Sequence, residues 1–405
     1  MITADQALSL DPIWVVTEMF ERDQRPEALN LIIGVYRDET GATPIMRVVH
    51  EGERRLLERD TTKAYLGPSG HDGFNGLMQE LVLGAGPVAE RATTIHAVGG
   101  TGAIRLLADF LAHIDPKRRV LLGTPAYGNH EPIFRAAGLT VEPHRHVDED
   151  GRIDMAAILA AVRGARRGDV LLVQGSCHNP TGTSMTPEQW ELLTDALSET
   201  GVVPFVDHAY FGLGDGLEED LAGMRAMLAR VPDAVVATSG SKAFGLYNER
   251  VGAAIVVTDP ANAPAVRVTL ETLARTRYAE ASYHGAAVVA EILRAPGPPG
   301  RGRPALDGLR RRLAGLRADL LARLVAGDAT GRFAALAEQR GMFLRLPIGE
   351  RGMGMLREGH AIYGLDNGRI NLAGMRAEDA PRVAAAILAV DAKLRGSALP
   401  APVGA

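Results

Sequence analysis

The sequence predicts an α/β fold, a mostly parallel sheet covered by helices on both faces. Three observations carry this. Short apolar, β-branched runs (Val120–Leu122, Val170–Val173, Val202–Val206, Ala234–Thr238) alternate with segments of helical periodicity (Ala156–Val162, Pro187–Ser198, Leu221–Ala229). Polar residues gather just beyond the runs: Asn179 after one, Asp207 and Tyr210 after another. Ligands of such sheets bind beyond the carboxyl ends of the strands. A single Pro- and Gly-dense tract, Ala295–Pro304, breaks the alternation and reads as a hinge or linker ahead of a smaller terminal unit.

The bulk properties fit. A chain of 405 residues can bury a large core and form two domains. With 46% hydrophobic and 23% charged residues it is globular in composition. A net charge of -5 gives no reason to expect nucleic acid or an acidic membrane as partner. Cys177 is the single cysteine, which excludes an intrachain disulfide and suits a reducing cytoplasm. Met1–Pro12 lacks a basic region followed by an apolar one, so no signal peptide is expected, and no apolar run reaches membrane-spanning length.

Taken in order, Ile13, Trp14, Val16 and Phe20 form a helical stripe. Leu31–Tyr36 is an apolar strand or turn in which Gly34 marks either a close backbone approach or a plain bend. Arg47–Asp60 is helical in pattern. Ala64–Gly70 is a loop with one aromatic hydroxyl, Tyr65, which on its own reads as a packing residue. Val98–Ala103 is a glycine-rich turn with Gly100 and Thr101, opening the helical Ile104–Ile114. Free N–H groups and the helix dipole converge at such a turn and favour an anion. The string does not fit G-x-G-x-x-G, which excludes a dinucleotide fingerprint. Asp207 ends an apolar strand and is poorly solvated there, so its ionised form needs a cationic or donor partner; the plain alternative is a turn or cap aspartate. Leu306–Val325 is a long Arg-rich amphipathic helix, and Met342–Leu346 and Gly368–Gly374 supply apolar runs for the terminal unit.

The chemistry concentrates in Ser239-Gly240-Ser241-Lys242-Ala243-Phe244-Gly245-Leu246-Tyr247-Asn248-Glu249-Arg250, a loop between two apolar runs. Of the 44 basic residues only Lys63, Lys117, Lys242 and Lys393 are lysines. Where Arg is so favoured, a lysine with hydroxyls on both sides points to a task that Arg cannot do: losing its proton and forming an imine. A chance solvated lysine is the alternative from this loop alone. Ser239-x-x-Lys242 also matches the nucleophile motif of penicillin-binding enzymes, but the Ser-Asp-Asn and Lys-Thr-Gly elements those need are missing from the sequence.

An imine-forming lysine, a strand-end acid, a glycine-rich anion site and an arginine beyond the lysine meet the needs of pyridoxal 5′-phosphate. With Asn-Pro-Thr-Gly, Asp-x-Ala-Tyr, Ser-x-Ser-Lys and Asn-Glu-Arg-Val-Gly in this order, the chain resembles the class I, fold type I aminotransferases, in particular the aspartate and aromatic ones, from Asp11 to about Val390. The resemblance implies a large domain at 44–298 with a mostly parallel seven-stranded sheet between helices. It also implies a small α+β domain from 1–43 and 299–405, and a homodimer with shared active sites. Lys242 matches the lysine that bonds the cofactor and moves the substrate proton. Asp207 matches the acid on the pyridine nitrogen, with His130 behind it. Tyr210 and Asn179 match donors to the phenolic oxygen. Gly100, Thr101, Ser239, Ser241 and Arg250 match the phosphate cradle. Tyr65 matches the tyrosine that reaches the phosphate of the neighbouring subunit, and Arg369 the arginine that clamps the substrate α-carboxylate.

Departures from the family pattern bear on substrate. Tyr127 stands where relatives stack a tryptophan on the cofactor ring, and Gln174 where they carry a histidine. Arg275 matches the arginine for a distal carboxylate, but the Ser-Asn-Pro-Pro that follows in relatives is Ala279-Glu280-Ala281-Ser282 here. Glu280 adds a negative charge near that carboxylate or pairs with Arg275. Trp14 reshapes the entrance, and Gly34 belongs to the same substrate side. The implied activity is amino transfer between an L-amino acid and a 2-oxo acid in two half-reactions. Glutamate or 2-oxoglutarate is one expected partner; an aromatic, dicarboxylic or specialised amino acid is the other. The alternative is elimination, cyclisation or oxidation on the same scaffold.

Overall fold

The structure, a computed structural model, describes residues 11–295 and 302–396. Most of the Pro- and Gly-dense tract therefore lies outside the described residues. The chain divides into two compact units. One takes residues up to Thr43, Pro180–Gly182 and the chain from Leu313 onward; the other takes Pro44–Asn179 and Thr183–Arg312.

The larger unit is built on seven strands: β1 (Ala92–Val98), β2 (Arg119–Thr124), β3 (Thr140–Arg145), β4 (Val170–Gln174), β5 (Val203–His208), β6 (Ala234–Ser239) and β7 (Val251–Val257). Their spatial order is β1-β7-β6-β5-β4-β2-β3. Only β7 runs against its neighbours; β2 with β3, β2 with β4, β4 with β5 and β5 with β6 are parallel. The burial follows from composition. β6 and β7 are buried throughout, as near-continuous apolar runs must be when helices cover both faces. The helix Gly99–Ile114 packs Ile104, Leu107 and Leu111 into the same core as Ile95, Leu122, Phe205 and Val235.

Two strands escape the sequence pattern. β1 reads Ala-Thr-Thr-Ile-His-Ala-Val and buries Thr93, Thr94 and His96 among its apolar residues, so it shows no clean apolar run. β3 carries Pro143 and lies at the sheet edge, where a missing N–H costs no ladder bond.

In the smaller unit, Leu29–Asn30 pairs in parallel with Ile362–Tyr363, and Arg369–Asn371 pairs antiparallel with Phe343–Arg345. Its core joins Leu31, Leu320, Leu324, Phe333, Leu344, Ile370 and Ile387. Beyond Asn30 the chain is irregular and is held by Asn371, whose Nδ2 donates to the carbonyls of Ile33 at 2.7 Å and Val35 at 2.8 Å. Among the described residues no helix is long and apolar enough to cross a membrane.

Candidate active site

Five strand ends of the larger unit converge on one edge of its sheet. β5 ends in Asp207-His208, and Asp207 is paired in register with Gln174 of β4 and Ala237 of β6. The carboxylate of Asp207 is buried, and its Oδ2 lies 2.8 Å from Nε2 of His130, which is itself buried. An acid at the closed end of an apolar strand needs such a partner. The neighbouring His208 is fully enclosed. Burial pushes its imidazole down to about 4, and its Nε2 lies 3.1 Å from the Asp220 carbonyl. A neutral His208 leaves Asp207 without a competing cation from its own strand.

Asn179 and Tyr210 meet beside this pair, with Asn179 Nδ2 donating to the Tyr210 hydroxyl at 3.3 Å. Lys242 Nζ stands 5.4 Å from the Tyr210 ring centre. Gln174 clamps Asn179 at two points: its Nε2 donates to the Asn179 carbonyl and its Oε1 accepts the Asn179 N–H, both at 2.9 Å. The sequence marks Gln174 only as a departure; the clamp is its structural role. Tyr127, half-buried beyond β2, sets its ring edge-on to His130 at 5.2 Å.

The glycine turn after β1 packs against the lysine loop. A Cβ on Gly99 (φ 66°) would fall within 2.8 Å of the Arg250 guanidinium carbon, and one on Gly100 within 3.0 Å of Ser239 Cβ. No side chain caps the start of the helix Gly99–Ile114, so its first-turn N–H groups, around Gly100 and Thr101, are available to an anion. Ser241 Oγ accepts from Arg250 Nη1 at 3.4 Å, and Ser239 Oγ accepts the Ser241 N–H at 3.2 Å. Arg250 takes a left-handed φ of 53°, a strained conformation for a side-chain-bearing residue that tends to persist at functional sites. Helix-start donors, two hydroxyls and a guanidinium on one edge, with an amine and a buried acid nearby, are the donor set that pyridoxal phosphate requires, and the residues fit it.

The full length of the chain carries the same signature. A family model described as "Aminotransferase class I and II" matches residues 26–387. The chain belongs to this aminotransferase family. It is 40% identical over 384 residues to the aromatic-amino-acid aminotransferase of Pseudomonas aeruginosa, covering 94% of this chain and 96% of that protein. It is 39% identical over 389 residues to the aspartate aminotransferase of Escherichia coli, covering 95% and 98%. The crystal structure of the aromatic-amino-acid aminotransferase from Burkholderia pseudomallei, covalently bound to pyridoxal phosphate, superposes with a TM-score of 0.91 at 34% identity, covering 96% of this chain and all of that one. The fold is therefore that of the fold type I aminotransferases, and the cofactor of this family is pyridoxal 5′-phosphate. Elimination, cyclisation or oxidation is not favoured by these relatives.

The remaining sequence-predicted residues of this aminotransferase fall in several places. Arg369 is buried in the smaller unit, where its Nη2 donates to the Ile32 carbonyl and its guanidinium lies 4.5 Å from the Phe343 ring centre. Phe343 in turn rests on Gly34, where a Cβ would come within 2.7 Å of Cζ. Gly34 is thus a close-approach glycine. Trp14 lies on the helix Pro12–Arg22 and is 60% exposed. Arg275 is exposed near the end of the helix Ala263–Tyr278. Among the described residues no ion pair joins it to Glu280, so of the two sequence alternatives for Glu280, a charge near the distal carboxylate or a pair with Arg275, the pair does not form within one chain. The reason is local. Glu280 Oε2 instead accepts the backbone N–H groups of Leu66 at 2.9 Å and Gly67 at 2.7 Å. Tyr65, beside them, is 91% exposed. Sequence reasoning also missed Phe343 beneath Arg369 and the stacking of His146 on His178 at 3.8 Å; neither has a local signal.

Proposed function

We propose that this aminotransferase exchanges the amino group of an aromatic or dicarboxylic L-amino acid with a 2-oxo acid, with glutamate and 2-oxoglutarate as one donor-acceptor pair, and that it works as a cytoplasmic homodimer. The observation that carries the reading is the buried Asp207–His130 pair on the same sheet edge as Lys242, Asn179 and Tyr210. Pyridoxal phosphate supplies an aldehyde for the amino group and a protonated ring that takes up an electron pair. The chain supplies the rest. Lys242 bonds the cofactor and carries the proton at the substrate α-carbon. Asp207, backed by His130, holds a proton at the ring nitrogen. Asn179 and Tyr210 donate to the phenolic oxygen, Tyr127 covers the ring face, and Gly100, Thr101, Ser239, Ser241 and Arg250 hold the phosphate. Tyr65, exposed in one chain, reaches the phosphate of a second copy. Arg369 takes the α-carboxylate by two parallel hydrogen bonds. Gly34 and Trp14 border the substrate, and Arg275 takes a distal carboxylate.

The names of the relatives support both substrate classes, since proteins similar to this one along nearly the whole chain are named for aromatic amino acids and for aspartate. The test is borohydride reduction of the purified protein followed by peptide mapping, with kcat/KM measured for phenylalanine, tyrosine, glutamate and aspartate. The label is expected on Lys242, and Lys242→Ala and Lys242→Arg are expected to be inactive, because guanidinium stays protonated. Label on another lysine, or none, overturns the mechanism. A wide preference for a substrate outside both classes overturns the specificity.

A further inference from the structure

The segment in which this chain departs from its relatives, Ala279–Ser282, does not fold as a simple helix end. Ala279 takes φ 68° and ψ -63°, and the Glu280 N–H donates to the Tyr278 carbonyl at 2.8 Å. This is a γ-turn of the positive-φ kind, which is rare and strained for a residue with a Cβ. The turn reverses the chain at the end of the helix Ala263–Tyr278 and delivers the Glu280 carboxylate to the loop that carries Tyr65. One oxygen, Oε2, takes two successive backbone N–H groups, those of Leu66 and Gly67. Hydrogen bonds to an ionised carboxylate are stronger than neutral ones.

Tyr283, which opens the helix Tyr283–Arg294 directly after this stretch, meets the loop on either side of Tyr65. Lys63 Nζ lies 5.6 Å from the Tyr283 ring centre, and His71 stacks on the other side of the loop at 5.5 Å from that ring. Beyond Gly67 the Ser69 carbonyl accepts from the His96 N–H at 3.0 Å and from Asn75 Nδ2 at 2.9 Å. Gly70 lies so close to β1 that a Cβ would come within 2.5 Å of His96 Cβ. A loop anchored at both ends leaves Tyr65 91% exposed at its middle. Ordering a loop around a side chain left so exposed costs conformational entropy and returns little burial. The ordering is useful only if something outside the chain meets that side chain.

We propose that Glu280 is the positioning residue for the Tyr65 loop, holding Tyr65 for the cofactor phosphate of a second copy of this chain. This deepens the reading of Tyr65 under "Proposed function" and rests on it. The departure from the family pattern at Glu280 then acts through cofactor retention, not through direct contact with a substrate carboxylate.

The test follows cofactor loss from the full-length holoprotein on dilution, read by absorbance, in a double-mutant cycle of Glu280→Ala with Tyr65→Phe. Glu280→Ala is expected to speed release of pyridoxal phosphate about tenfold, the size of one charge-assisted hydrogen bond. Glu280→Gln keeps an acceptor oxygen and is expected to recover most of the retention. In the Tyr65→Phe background Glu280→Ala is expected to add nothing, because the two act through one contact. Losses that add across the cycle, or an unchanged release rate in Glu280→Ala, overturn the proposal. A Tyr65→Phe protein that keeps its cofactor as well as wild type removes Tyr65 from the phosphate and the proposal with it, while borohydride labelling of Lys242 still decides the wider reading separately.

Discussion

Asp207 shows how one residue links burial to chemistry. It is enclosed at the end of β5, its Oδ2 lies 2.8 Å from Nε2 of the His130 imidazole, and the next residue of its strand, His208, is held neutral by burial. With Asp207 in the proposed role at the ring nitrogen, its removal is expected to cost cofactor binding about 1.5–3 kcal/mol, the worth of a hydrogen bond to a charged group. In that role the catalytic loss is expected to be larger, because an electrostatic partner of the reacting system is typically worth about a hundredfold or more. Asp207→Ala measured at saturating cofactor is therefore expected to lose most of its kcat; near-normal turnover would show that the acid sits elsewhere. At this scale much was legible. Lys242 stands out by scarcity, and Asp207, Asn179 and Tyr210 by their place just past apolar runs. What Gln174 and Glu280 touch was not legible. Gln174 reaches only five residues along, but its clamp on Asn179 depends on how the turn between them folds. Glu280 meets a loop more than two hundred positions away, and no local pattern encodes that.

Among elements, the opposite edge of the same sheet carries a different device. Asp169, just before β4, accepts the Arg119 N–H at 3.0 Å, the Arg119 guanidinium, and the Arg166 N–H at 2.8 Å. Arg119 also reaches Glu142 of β3 at 2.9 Å. The group thus staples the amino ends of β2, β3 and β4. Burial alone pushes the Asp169 carboxyl up, but Arg119 and the two backbone donors outweigh it and hold it down at about 2. A depressed acid stabilises the fold above its ordinary value of 3.8, and that contribution is lost as pH falls through about 2. Asp169→Asn is expected to cost about 2 kcal/mol at pH 7, with the gap to wild type in urea midpoint closing as pH drops below 4. A gap that stays constant with pH would assign the effect to packing. Element prediction succeeded where one physical signal dominated. It failed for β1 and β3, where buried threonines and an edge proline blur the run. The direction of β7 was within reach: the connection from Ser239 to Val251 is shorter than the dozen or so residues that a parallel crossover needs.

For the whole molecule, the sequence pattern suggested a division at a Pro- and Gly-dense tract, whereas the contact division falls at Arg312/Leu313, inside the helix Gly302–Gly327. A boundary within a continuous helix has no mark in composition. The family resemblance carried what periodicity could not, namely the number of strands in the large sheet.

The reversal of β7 bears on how the chain finds its fold. Because β7 returns directly beside β6, the strand pair that frames Lys242 closes over about eleven residues, whereas the Asp207–His130 contact spans 77. By loop-closure entropy the longer span costs about 1.7 kcal/mol more, at about 0.6 kcal/mol per doubling. The hairpin that holds the lysine is thus the local part of the site, and the acid pair is the distant part that waits for β2, β4 and β5 to align. Pulse-labelled hydrogen exchange during refolding is expected to protect amides of Ala234–Val257 before those of the helix His130–Ala136; the reverse order would show that the nucleus forms on the other side of the sheet. If Lys242 bonds the cofactor as proposed, a lysine framed by so short a connection is ready before its distant acid partner, so the two halves of the site need not be completed in one event.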